Sequence, residues 1–338
     1  MKSMSKKLAA KPAPKKKASA KASKALDDQA IESALRELVF TMMGEQPTAE
    51  DLKALRFSME SPSATDGLDD WDADAKFEAQ ELAFAAMEAR SQTAARKLAR
   101  QALDLDPDCV DALLIVADLG GRTQKARIEA LSGAVEAGRR SLGAKFFKKN
   151  KGHFWMLIDT RPFMRAMETL AGELAPVDKP GAIAIYAEML ELNPGDNQGV
   201  RYPLLGLYLA VGDRGGAQDL LMQYPEDASA VFAWGLLIER LVAGDYERAE
   251  AALQKAIQSN RFVALQLTGR QPLPKGLPQM YALGSVEEAV LCQHYLMPAW
   301  EAQPEALMWV YDRCAAMDMA PVPSKATLKK MKPDAGVQ

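Results

Sequence analysis

Four residues in two pairs have the types and spacing to hold an anion or a peptide backbone. Arg161 and Arg165, and Asn197 and Arg201, each stand four apart, so on a helix each pair shares one face. A guanidinium takes a carboxylate through two parallel hydrogen bonds, and an asparagine amide both donates to and accepts from a peptide unit. The structural alternative is that these groups pair with acids of the chain, such as Glu168 or Asp196, or cap neighbouring loops. Tyr202, Trp155 and Trp234 are either aromatic contacts for the same ligand or core. A second chemistry lies in 145–155, where Phe146, Phe147, Phe154 and Trp155 alternate with Lys145, Lys148, Lys149 and Lys151. Such interleaving suits stacking of single-stranded nucleic acid. Its alternative is a plug of aromatic rings beneath lysine stems whose ammonium groups stay in water.

Other constellations are weaker. Asp70, Asp72, Asp74 and Glu81 imitate the spacing of a calcium loop, but Ala75 stands where that loop needs glycine. An acidic helix start, favoured by the helix dipole, accounts for them better. The three cysteines, Cys109, Cys292 and Cys314, and the two histidines, His153 and His294, lack the tight spacing of a zinc site. An odd cysteine number argues against a disulfide framework. No phosphate-binding glycine loop, serine-hydrolase elbow or paired-histidine metal motif occurs. The expectation is a non-catalytic protein with no metal and no cofactor.

These groups sit on a chain of 338 residues whose net charge of −3 hides two opposed regions. Residues 1–25 hold nine lysines, among them Lys15, Lys16 and Lys17, and no acid; the rest carries 33 basic against 45 acidic residues. An arm of lysine, alanine, serine and proline buries too little apolar surface to offset its ordering entropy, so disorder is expected. It serves either as an electrostatic contact for a polyanion or as a solubilising tail. No apolar run approaches the ~18 residues of a membrane span. The N-terminus also lacks the apolar segment of a secretory signal, so cytoplasmic residence without a membrane is expected.

Between 26 and 318 the apolar residues recur at helical spacing, and no alternating strand stands out. Thr48 with Asp51, and Ser285 with Glu288, fit a capping box. Pro180 after Asp178, and Asp245 after Gly244, mark further helix starts. Internal repetition is the deciding signal. Leu103-Asp-Leu-Asp-Pro107 reappears as Leu190-Glu-Leu-Asn-Pro194, with Ala95 and Ala182 twelve residues before each proline. Tyr202-x-x-Leu205-Gly206-x-x-Leu209 is followed by Ala217-x-x-x-Leu221 and Pro225. Val231-x-x-Trp234-Gly235-x-x-Ile238 is followed by Ala249-x-x-x-Leu253, and Met167-x-x-Leu170-Ala171-x-x-Leu174 precedes both.

These spacings resemble the tetratricopeptide repeat, a helix pair of ~34 residues with small residues where helices cross. Gly-His-Phe-Trp at 152–155, Thr-Arg-Pro-Phe-Met-Arg-Ala at 160–166, Asn-Pro-Gly-Asp-Asn-Gln-Gly-Val-Arg-Tyr at 193–202 and Gly-Ser-Val-Glu-Glu-Ala at 284–289 resemble a group of bacterial tetratricopeptide proteins similar to the suppressor-of-tumorigenicity-7 type. The signature departs from the family where Met167, Tyr202 or Val231 replaces its tryptophan, and where Pro203 falls inside a helix. The expected fold is all-α, a right-handed solenoid of antiparallel helix pairs at about 75–105, 109–140, 161–192, 197–222 and 228–258. Capping helices are expected over 26–60, a terminal pair over 285–316 and a flexible tail over 319–338. The interval from Asp106 to Asn193 exceeds two repeats by about 19 residues, which places an irregular insertion near 141–160.

The resemblance implies a scaffold that receives a peptide or helix of a protein partner in a groove lined by the first helix of each pair. Arg161, Arg165, Asn197, Arg201 and Tyr202 are the groove candidates, similar in type and spacing to a tetratricopeptide carboxylate clamp. The alternative function is nucleic-acid association through Lys15, Lys16 and Lys17 of the arm together with Lys148, Lys149 and Trp155. The Pro- and Gly-rich loop at 268–284 is either a packing strap or a functional lid.

Overall fold

The computed structural model of the chain describes residues 70–120 and 123–317. The basic arm with Lys15, Lys16 and Lys17, the helices expected over 26–60 with their Thr48–Asp51 box, and the tail at 319–338 lie outside the described residues. Within them the chain is helical, with thirteen α-helices and no strand. In order these are α1 Asp70–Met87, α2 Gln92–Leu105, α3 Val110–Gly120, α4 Gln124–Asn150, α5 Arg161–Leu174, α6 Lys179–Leu192, α7 Arg201–Val211, α8 Arg214–Gln223, α9 Ala230–Val242, α10 Tyr246–Ser259, α11 Arg261–Leu267, α12 Val286–Ala302 and α13 Pro304–Ala316. Residues 70–81 are therefore helix and form no calcium loop.

Short polar caps cut the chain into these pieces. Ser91, Thr123, Asp178, Asp213, Ser229, Asp245, Asn260 and Ser285 each accept a hydrogen bond from a first-turn amide of the helix that follows. That satisfies one orphan donor per helix and fixes where each begins. Pro203 is harmless because it is the third residue of α7, where its missing N–H would have had no intrahelical acceptor. Each helix packs on its sequence neighbours from α1 to α13. In addition α1 touches α3, α3 touches α5, and α7 touches α9.

The core changes character along the chain. Between α1, α2 and α3 the seam is built from Ala79, Ala83, Ala86, Ala99, Ala102 and Ala112 with Cys109, small residues that let backbones approach closely. From α3 onward it fills with larger groups, and Trp234, Trp300, Phe163 and Met167 are all 1% exposed or less. Each such side chain contributes roughly 1.5–3 kcal/mol relative to exposure. Trp234 is thus core rather than a ligand contact.

The 141–160 stretch, where an irregular insertion is expected, is largely helical. Instead of leaving the helical pattern near 141, α4 runs on to Asn150 through a break at Gly143 (φ 75°, ψ 152°). Two short 3-10 turns, Phe154–Met156 and Ile158–Thr160, then lead into α5. Phe147 packs edge-on against Phe163 at 5.3 Å and tilted against Phe154 at 4.9 Å. The rings hold the turn against α5 while Lys145, Lys148 and Lys149 stay exposed.

A further departure concerns α12. The repeat pattern leads one to expect glycine where the two helices of a pair cross. At Gly206 a Cβ would instead lie 2.0 Å from the backbone oxygen of Tyr295, so this glycine admits α12 against α7. At Gly235 the near neighbour is Leu205 of the preceding pair, at 2.5 Å. Helix α12 packs on both α7 and α9. The chain itself therefore covers the part of that wall expected to stay open for a partner.

Candidate functional site

The loop between α6 and α7 sets the site. Asp196 takes a left-handed conformation (φ 47°), which aspartate tolerates when its side chain bonds locally. Its carboxylate accepts from the amides of Val200 (2.8 Å) and Arg201 (3.1 Å), capping α7 from outside the helix, and from Arg201 Nη1 (2.8 Å). Arg201 Nε donates to Asp227 at 2.7 Å and Nη2 to the Tyr202 hydroxyl at 2.6 Å. Its guanidinium lies 4.3 Å from the Tyr202 ring centre and 5.3 Å from that of Tyr224.

Three helix starts meet here. Glu288, 2% exposed, accepts from the amide of Ala230 at the start of α9 (2.9 Å), from the Asn260 side chain that caps α11 (2.9 Å), and from Gly284 N (2.7 Å). The Ser285 hydroxyl accepts from Glu288 N as a capping box requires (3.1 Å). The acid of that box, however, is spent on tying α9, α11 and α12 together. Between the two networks lies a cavity of about 330 Å³, floored by Asp196, Ser229 and Glu288, walled by Tyr202 and Tyr295, with Asn197 and Tyr281 at its mouth. Tyr202 and Tyr295 are stacked at 5.9 Å. Asn197 is exposed and Tyr281 is 46% exposed, while Asp196, Ser229 and Glu288 are buried, so the mouth is open above a buried floor.

The charges are uneven. Burial raises the Asp196 carboxyl, and the hydrogen bonds from Arg201 and Val200 offset this only in part. Burial, aided by Asp196, likewise lifts the carboxyl of Glu168, which accepts from Gln198 at 2.6 Å. Burial also pushes up Asp227, but hydrogen bonds from Ser229 and Arg201 outweigh it and hold that carboxyl below its ordinary range. Burial, then the charge of Asp227, moves the Tyr202 phenol up to about 12. The arginine keeps its proton: burial opposes its charge, and hydrogen bonds to Asp227 and Asp196 more than offset that.

The residues singled out by sequence divide sharply. Asn197, Arg201 and Tyr202 meet at this cavity. Arg165 does not; its Nε and Nη2 grip Asp111 at 3.0 and 2.6 Å, and Gln80 donates to the same carboxylate at 2.6 Å. Arg161 donates to the Trp155 carbonyl at 3.2 Å and lies 5.3 Å from that ring. Of the three arginines expected to clamp a ligand carboxylate, Arg165 and Arg201 are thus engaged by acids of the chain itself, because buried aspartates face them from neighbouring helices and loops, and Arg161 is held by a backbone carbonyl. In the 145–155 segment Phe146 and Phe154 are buried, Trp155 is half-buried against Arg161, and Lys148 and Lys149 stand exposed.

Asp111, Asp227, Tyr281 and Tyr295 carry no assignment from the sequence, and Glu288 only that of a capping-box acid. A lone acid in the apolar run Val110–Val116 was a usable signal of a buried, paired charge; nothing local marks Tyr281. The loop at 268–284 is strapped at its ends, by Arg270 donating to the Met317 and Ala315 carbonyls and by Gly284 donating to Glu288. Between them Leu277, Met280 and Leu283 are 55–85% exposed. Among the described residues no group of side chains is arranged to hold a metal ion, and no helix is long and apolar enough to cross a membrane. The three cysteines are buried and form no disulfide with one another; burial raises the thiols of Cys292 and Cys314, the latter to about 11. The sequence matches no protein-family model and no curated protein.

Proposed function

We propose that the chain is a non-catalytic scaffold of tetratricopeptide-like antiparallel helix pairs, and that it binds a segment of another protein at the cavity where α7, α9 and α12 begin. One observation carries the reading: a loop and three helix starts converge on a buried polar floor while Asn197 and Tyr281 remain exposed at the mouth. Convergent polar groups in a concavity are what ordinary binding sites present. The side-by-side packing of α1, α3 and α5, and of α7 and α9, supports the repeat reading. The covering of α7 and α9 by α12 moves the binding locus from the length of a groove to its end. The exposed apolar side chains of the 268–284 loop extend the contact surface beside Tyr281.

A photo-crosslinking amino acid placed at Asn197 or Tyr281 of the full chain, in cells, tests this. Both positions are expected to yield the same protein adduct, and a probe at exposed Lys97 on α2 is expected to yield none of it. Adducts that do not depend on position, or none at either site, overturn the reading.

A further inference from the structure

We infer that the group this cavity accepts is an organic cation, a lysine or arginine side chain of the bound segment, seated against the rings of Tyr281 and Tyr295 above the Glu288 and Asp196 floor. The inference rests on the cavity being a binding site and reverses the chemistry that the arginine pairs suggest. Four carboxylates, those of Asp196, Glu288, Asp227 and Glu168, line the cavity or lie directly behind its wall through Arg201 and Gln198. Against them the lining holds a single cation, Arg201. A ligand carboxylate entering here would meet excess like charge at low dielectric, whereas an ammonium or guanidinium would reduce it.

Aromatic walls point the same way. The faces of tyrosine rings are electron-rich and attract cations within about 6 Å of the centroid. The protein already uses this at the same place, since Arg201 sits 4.3 Å from the Tyr202 ring centre and 5.3 Å from that of Tyr224. Arg201 is thereby committed to Tyr202, leaving Tyr281 and Tyr295 as the rings that an incoming group can meet. Tyr281, exposed and on a loop, forms the outer wall. The phenols of Tyr202 and Tyr295 are both held above their ordinary range, by burial first and then by the surrounding carboxylates.

The test titrates the full chain with capped pentapeptides Gly-Ala-X-Ala-Gly, where X is lysine, trimethyl-lysine, arginine, norleucine or glutamate, and with tetramethylammonium alone, observed by ligand NMR. Cationic X is expected to bind ~5-fold or more tightly than norleucine, with glutamate weakest. Tyr281→Ala should erase the advantage, while Tyr281→Phe should keep it within ~2-fold because the ring face survives. Glutamate binding as well as lysine, or an advantage untouched by Tyr281→Ala, overturns the inference. If tetramethylammonium binds in a Tyr281-dependent way and no peptide does, the cation site stands as a small-molecule site and the protein-segment reading falls. If Asn197 and Tyr281 capture one protein yet cationic X gains nothing, the scaffold stands and this inference falls.

Discussion

Two polar networks in this chain are built around an arginine chosen by the same sequence rule, and they end differently. Gln80 of α1, Asp111 of α3 and Arg165 of α5 link three helices with one carboxylate and one guanidinium, and Asp111 is wholly buried. There the guanidinium meets a fully buried carboxylate head-on. Asp196, Arg201 and Asp227 place one guanidinium between two carboxylates, beside a third at Glu288, and this set borders an open cavity. The difference teaches that an arginine at helical spacing says little about binding. What distinguishes a fastening from a site is whether the charges around it cancel and whether water can reach them.

Removing each arginine should separate the two. Arg165→Ala strands the Asp111 carboxylate with Gln80 as its remaining hydrogen-bond donor named above, and should cost about 3–5 kcal/mol in urea unfolding. Arg201→Ala leaves Asp196 its two backbone amides and Asp227 the amide of Ser229, and opens both to the adjoining cavity. About 1–3 kcal/mol is expected there. Equal losses would erase the distinction between closed and open networks.

Gly206→Ala addresses the same contrast from the packing side. The open network exists because α12 lies close enough to α7 to wall the cavity, and an added Cβ would meet the Tyr295 backbone oxygen at 2.0 Å. Backbone cannot rotate away, so a cost of about 1–3 kcal/mol and a displaced Tyr295 are expected. Gly235→Ala meets only the end of the Leu205 side chain and should cost less. Chemical-shift changes that reach Tyr281 in the first variant but not in the second would show that α12 sets the cavity width.

Much of the architecture was legible in the residues. The pairs expected at 161–192, 197–222 and 228–258 correspond to α5–α6, α7–α8 and α9–α10, because Asp178, Asp213, Ser229 and Asp245 announce their helices locally. The insertion was legible as an excess of length, though its internal form was not. Gly143 is the one residue whose conformation breaks α4, and glycine alone does not say whether a helix stops or resumes. The site was legible only in part. Asn197, Arg201 and Tyr202 lie in one short run, whereas Glu288, Tyr281 and Tyr295 arrive from a distant segment through the packing of α12, which no local pattern encodes. Asp196, named in the sequence as a partner for these arginines, does hold Arg201, whereas Asp111 and Asp227 reach their arginines from segments that no local pattern links to them.

The smallest expected effect tests the charge imbalance directly. Glu168 on α5 faces Gln198, Asp196, Tyr186 and Tyr295, and its carboxyl is held above the ordinary glutamate range by burial and then by Asp196. The folded chain therefore binds this proton more tightly than the unfolded chain. The resulting contribution favours folding below the ordinary glutamate pKa and is lost as pH rises through the raised value. At neutral pH the ionised group is a net cost, which Glu168→Gln removes while keeping an acceptor for the Gln198 amide. The variant should be more stable than the parent at pH 7 by less than about 1 kcal/mol, with the gain vanishing as the pH falls below about 4. If the surplus charge near the cavity is real, the same variant should also weaken binding of a lysine peptide, because one of the four carboxylates attracting it has gone. Higher stability together with weaker cation binding is the paired outcome expected where ionised carboxylates crowd a binding site.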